Sequence, residues 1–294
     1  MGENMDNLLS GLGKFGLDEG AANNLFEDAN VVTKQNADGS VSKEIAPPKE
    51  EDFLLLKAVR CPVCDGTFRT IQIKSGRTKR KEPDMDLRPR FEYIDTNKYD
   101  ITSCPKCGFT AINRYFGHLS SLQTKMIKEG VCDKFKTPPT QEITELKTYT
   151  YDEAIELFKL ALYTTIVKKG PNSEKAYECL KIAWLIRGKM EELALDKEKN
   201  KEALLACQKE YASFYAQAFE GFVKAMSSEN YPMCGMDQST VDLLIAAMAF
   251  NLGKFDYASR FVSSLIVSRT AGGNIKKRAH ELKEKLVERM KKNQ

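Results

Sequence analysis

The 294 residues are enough for two or three folding units, and 42% apolar with 29% charged residues is the make-up of a soluble protein with a real core. A net charge of +4, from 45 bases against 41 acids, is not that of a dedicated nucleic-acid binder. The first ten residues have neither the basic nor the apolar region of a signal peptide, Met1-Gly2 lacks the hydroxyl residue of a myristoylation signal, and no apolar run approaches the ~20 residues of a membrane span. A cytoplasmic location away from membranes is expected.

Residues 1–52 read as a disordered tail with one short apolar segment. Residues 1–50 hold nine acids against four bases, and Ala46-Pro47-Pro48-Lys49-Glu50-Glu51 closes them like a linker. Within the tail, Met5, Leu8, Leu9 and Leu12 recur at helical spacing, with Phe15 following. Gly11, Gly13 and Gly16 weaken any isolated helix there by ~1 kcal/mol each. The segment is either chance hydrophobes in a polar tail, or a stretch with Leu8, Leu9, Leu12 and Phe15 that orders on a protein surface.

Residues 53–115 carry the strongest signal. Cys61-Pro62-Val63-Cys64 and Cys104-Pro105-Lys106-Cys107 are two knuckles, each able to aim two thiolates at one point. Facing each other they form a closed tetrahedral site, so one structural zinc per chain is expected on Cys61, Cys64, Cys104 and Cys107. Gly108 suits the positive φ that carries the backbone over the metal, and Asp65 holds the equivalent place in the first knuckle. A redox pair would sit near a βαβ pattern, which is missing, and nothing indicates the secretion that a disulfide framework needs. Iron in the same cage is left open by sulfur ligands alone. The remaining cysteines, Cys132, Cys179, Cys207 and Cys234, are scattered.

Between the knuckles, Thr67–Lys74, Phe91–Ile94 and Tyr99–Thr102 read as strands of a zinc ribbon with a long insert. The insert contains the densest basic run, Arg77-Thr78-Lys79-Arg80-Lys81, and Arg88-Pro89-Arg90 extends it. Such a run is ordinarily solvated. Contact of Arg77, Lys79, Arg80 and Lys81 with an anion or nucleic acid is the sharper alternative. Asp84 and Asp86, beside Pro83 and Pro89, read as an exposed loop.

Residues 116–294 are helical. Tyr151-x-x-Ala154-x-x-x-Phe158-x-x-Ala161 recurs as Tyr215-x-x-Ala218-x-x-x-Phe222-x-x-Ala225, and more weakly as Phe255-x-x-Ala258-x-x-x-Val262-x-x-Leu265. That order of aromatic and small residues matches the second helix of a tetratricopeptide (TPR) unit, although the spacings of 64 and 40 residues depart from the usual ~34. Gly170-Pro171 marks a break between helices, and Ile275 to Met290 forms a final basic amphipathic helix. The fold class is thus mainly α, a small β zinc-ribbon module followed by a TPR-like α-helical solenoid.

These pieces resemble a bacterial family of unknown function, numbered 2225, from about Val59 to Met290. The resemblance is carried by Cys61-Pro62-Val63-Cys64, Asp84-Met85-Asp86, Asn97-Lys98-Tyr99, Cys104-Pro105-Lys106-Cys107-Gly108-Phe109-Thr110-Ala111 and Ala183-Trp184-Leu185-Ile186-Arg187. It implies a zinc-ribbon head joined to TPR-like helices in a bacterial cytoplasmic protein, and it carries over no activity.

No catalytic constellation emerges. His118 and His280 stand far apart, and neither a phosphate-binding Gly-rich loop nor a metal-ligating His pair is present. The expectation is a non-enzymatic interaction or adaptor protein whose helical groove takes a peptide or protein partner. Nucleic-acid binding through the basic insert ranks second.

Overall fold

The computed structural model describes residues 31–35, 41–135 and 143–292. The chain divides into two compact units, residues 1–49 and 50–294. In the first unit, β1 (Val31–Gln35) pairs antiparallel with β2 (Val41–Ile45) in a register from Val31↔Ile45 to Gln35↔Val41. This strand pair falls within residues 1–52, the segment expected as a disordered tail, and β-branched Val31, Val32, Thr33 and Val41 suit strands there. Leu8, Leu9, Leu12 and Phe15 lie outside the described residues.

The second unit opens on a 3₁₀ turn, Glu50–Phe53, which belongs to this unit rather than to a linker. Glu50 accepts bonds from Lys98 Nζ at 2.7 Å and the Tyr99 hydroxyl at 2.9 Å. Two β-hairpins follow. In one, β3 (Leu54–Arg60) pairs with β4 (Thr67–Ile73); in the other, β7 (Ile101–Ser103) pairs with β8 (Thr110–Ile112). The intervening insert is shorter on strand than its sequence suggests. Only β5 (Arg80–Lys81) and β6 (Arg90–Phe91) pair there. Tyr93 turns to φ +62°, and Asp95 caps a 3₁₀ turn over Thr96–Tyr99, so the expected strand at Phe91–Ile94 cannot continue.

Seven helices account for the rest of the described residues: α1 (Ser121–Gly130), α2 (Tyr151–Val167), α3 (Asn172–Leu193), α4 (Lys201–Ser228), α5 (Gln238–Asn251), α6 (Phe255–Val267) and α7 (Gly273–Lys292). Local sequence sets their ends. Ser120 with Gln123, and Thr150 with Glu153, form reciprocal capping boxes on α1 and α2, and Asp237 caps α5. Gly253 turns the chain from α5 to α6 at φ +72°.

From α2 onward each helix packs on the next, and α3 is buried on both faces. Its Ile182, Leu185 and Ile186 join α2 and both hairpins through Leu54, Ile71, Ile101 and Ile112. Its Leu180, Ala183 and Trp184 join α4 to α7. The ribbon and the helices therefore share a core, because α3 is buried against both through most of its length. The recurring Ala154, Ala218 and Ala258 are all fully buried. Ala218→Phe is expected to lower unfolding free energy by ~1–3 kcal/mol through overpacking, as read by urea denaturation. An unchanged midpoint would show that this site has room to spare.

Candidate metal centre

Each Cys-Pro-x-Cys knuckle is the turn of a hairpin, and the two are built alike. In the first, the Cys61 amide donates to the Gly66 carbonyl at 2.9 Å and the Asp65 amide to the Cys61 carbonyl at 3.0 Å. In the second, Cys104 donates to Phe109 at 2.9 Å and Gly108 to Cys104 at 3.0 Å. Asp65 and Gly108 adopt φ +59° and +75° at matching places. A Cβ on Gly108 would meet the Phe135 ring at 2.6 Å, so only glycine fits there.

The four sulfurs lie within 4.8 Å of one another. Cys61 and Cys107 Sγ are 3.6 Å apart, and Cys64 and Cys104 Sγ 3.7 Å. Four tetrahedral sulfurs each ~2.3 Å from one ion would stand ~3.8 Å apart, so the cage fits a thiophilic metal. The Val63 amide donates to Cys61 Sγ at 3.4 Å, which helps hold a thiolate. Close thiols compete for protons: hydrogen bonds from Cys107 and Cys61 pull Cys104 down to about 2, while the Cys104 contact pushes Cys61 up to about 12 and Cys107 well above its ordinary value. Phe68, Phe109, Phe116, Ile127 and Val131 pack around the cage, and Phe109 stacks on Phe116 at 4.9 Å. Cys64 alone of the four is exposed. Among the described residues, no other group of His, Cys, Asp or Glu gathers ligand atoms this way.

Cys132, in the 3₁₀ turn Cys132–Lys134 that follows α1, is brought to the same cage although its spacing gave no hint of it. Burial raises its thiol pKa, and a hydrogen bond with Cys107 opposes that rise. Cys179 and Cys207 are buried in the helical core, and Cys234 donates to the Ser173 carbonyl at 3.2 Å.

A second polar centre joins the ribbon insert to α3. Asp86, expected on an exposed loop, is 1% exposed. Its carboxylate accepts from Trp184 Nε1 at 3.2 Å, Arg187 Nη1 at 3.0 Å and the Tyr215 hydroxyl at 3.0 Å. Arg88, expected to extend the basic face, is also 1% exposed and pairs with Asp95 at 2.8 Å and Glu191 at 3.1 Å. Arg90 bridges Asp84 and Glu191. Burial would raise Asp84 and Asp95, but the arginines draw both carboxylates below their usual range. Arg88 and Arg90 are thus each paired with two carboxylates within the protein.

Residues 54–286 match the family model described as "Uncharacterized protein conserved in bacteria (DUF2225)". The chain belongs to the DUF2225 family. It is also similar to an uncharacterized protein of Borreliella burgdorferi, 23% identical over 149 residues, which are 46% of this chain and 53% of that relative. The chain thus spans about half the length of that curated relative. No solved structure matches it.

In this DUF2225 chain the motifs far apart in sequence meet in space. Asp84 and Asp86 contact Trp184 and Arg187, while Asn97 Oδ1 accepts from Lys181 Nζ at 3.2 Å. The basic run lies on the surface beside this centre, Lys81 pairing across the strands with Arg90: Arg77, Lys79, Arg80 and Lys81 are exposed, and Lys79 pairs with Glu92 at 3.2 Å. His118 and His280 are exposed on separate elements. Among the described residues no helix is long and apolar enough to cross a membrane.

One buried acid makes the fold sensitive to pH. Glu178 on α3 is fully buried, accepts from the Thr165 hydroxyl at 2.8 Å and has no partner for Oε2. Burial, then the neighbouring Glu174 charge, push its pKa up to about 8, and the Lys168 charge opposes them. A folded-state pKa raised above the unfolded value means the folded chain holds the extra proton between pH ~4.5 and ~8, so stability falls as pH rises through that window. Glu178→Gln should flatten this fall and raise the melting temperature at pH 8.5 relative to the parent. A parent-like slope in the variant would place the titration elsewhere.

Proposed function

We propose that this chain is a non-enzymatic adaptor, in which one structural zinc makes the ribbon rigid and the helices offer a groove to a peptide or protein partner. The observation that carries it is the closed donor set. Four thiolates fill a tetrahedral shell, leaving no position where a substrate or water could be activated. Zinc suits such a cage best among common cytoplasmic ions, with iron as the chemical competitor. The other concentrated charges, on Asp84, Asp86, Arg88, Arg90 and Arg187, engage one another and hold the insert on α3. The buried aromatic–alanine recurrence on α2, α4 and α6 favours a TPR-like stack, an architecture suited to holding extended peptides.

Capture from cytoplasmic extract with the full chain, with and without nuclease, tests this reading. A protein partner retained after nuclease, and competed by a peptide derived from it, is expected. Retention that depends wholly on intact nucleic acid would instead favour the second reading, which rests on the exposed Arg77–Lys81 run.

A further inference from the structure

A cleft of about 660 Å³ lies between the ribbon insert and the helices. Its cationic side comes from Arg80 and Lys81 on β5 and Arg278 on α7, with Glu82 as an acidic neighbour. Its apolar side comes from Trp184 on α3, Met236 ahead of α5, and Leu244 on α5. Three cations against one carboxylate leave an excess of two positive charges.

The cations differ in what already occupies them. Arg278, 8% exposed, gives Nη1 to Glu82 at 2.9 Å and Nη2 to the Asp84 carbonyl at 2.5 Å, while its buried Nε has no acceptor. Arg80 and Lys81 are exposed, and neither has a carboxylate partner among the described residues. Trp184 spends its indole N–H on Asp86, so only carbon of that ring is offered to a ligand. It is 3% exposed, which leaves a narrow strip that an alkyl chain can follow but a nucleobase cannot stack upon.

We propose that this cleft binds a small amphipathic carboxylate, with its anionic head at Arg80 and Lys81 beside Arg278 and its apolar body along Trp184, Met236 and Leu244. The volume falls in the range of ~300–1,000 Å³ typical of small-molecule sites, and a few placed cations over an apolar wall is how such sites orient a ligand. The proposal is independent of the adaptor reading, because no metal ligand lines the cleft and no protein partner is needed.

The test uses the full-length, metal-loaded chain. Trp184 is the only tryptophan, so its emission reports on the cleft directly. Decanoate, decanol, acetate and inorganic phosphate are titrated by fluorescence and calorimetry. Decanoate is expected to bind saturably at one per chain and to shift the emission, with the other three at least tenfold weaker. The double variant R80E/K81E, on an exposed strand, should weaken decanoate at least tenfold and leave decanol unchanged. Thr240→Phe, which fills the cleft from α5, should weaken decanoate with its charges intact. The proposal is overturned if decanol matches decanoate, if phosphate or acetate binds as tightly, if no ligand saturates, or if decanoate binds equally well to both folded variants.

Discussion

Cys104→Ser is expected to remove stoichiometric metal and to lower the melting temperature more than any other single change considered. A small structural zinc module draws ~10 kcal/mol or more of folding energy from its metal, and a serine hydroxyl is a poor fourth ligand. The loss begins in the knuckles, where Phe109 and Phe116 pack directly on the cage. It also spreads. Ile101 and Ile112, on the strands flanking Cys104, share a core with α2 and α3, so part of the helical domain loses its support. Helical circular dichroism at low temperature should largely persist, since α4 to α7 have their own apolar core with one face of α3. Full metal content and an unchanged melt in this variant would sink the assignment of Cys104 as a ligand.

Asp86→Ala should cost roughly 3–5 kcal/mol, because removing one partner from a buried ion pair strands the other charge. Here the weakened group is Arg187, whose own pKa is raised chiefly by Asp86 once burial is overcome and which keeps Asp84, at 3.2 Å, as its one remaining carboxylate partner. Trp184 Nε1 loses its acceptor too, and the Tyr215 hydroxyl is left with only Asn251, at 2.8 Å. At ~2–4 °C per kcal/mol for a unit of this size, the melting temperature should fall by about 10 °C. Metal content should stay at that of the parent, which separates this effect from loss of the cage. Asp86→Asn retains acceptor geometry and should fall between the two. A change below ~0.5 kcal/mol in Asp86→Ala would mean the buried pair is dispensable.

Whatever depended on short spacing was legible in the sequence. The two Cys-Pro-x-Cys knuckles gave the four-cysteine cluster, and the positions of Asp65 and Gly108 gave the turn, because hairpin geometry is decided within a few residues. The periodicity of Ala154, Phe158 and Ala161 and of their copies marked buried faces for the same reason. Asp86 was misread as exposed because its partners Trp184 and Arg187 lie 98 and 101 residues away, and a carboxylate between prolines gives no local sign of them. Arg88 was misassigned to a basic surface on the same grounds, its Glu191 partner being 103 residues on. Cys132 reaches the cage only because the turn that follows α1 returns to the second knuckle, where Phe135 packs against Gly108. The packing of the ribbon on the helices was not legible either, because α3 buries one face against the hairpins through contacts distant in sequence.

X-ray absorption at the metal edge of the full-length protein tests the closed cage most directly. The account predicts one zinc per chain with four sulfur neighbours at ~2.3 Å and no oxygen or nitrogen in the first shell. A mixed shell with one or more light-atom ligands would contradict it, by opening a coordination position and with it a route to catalysis.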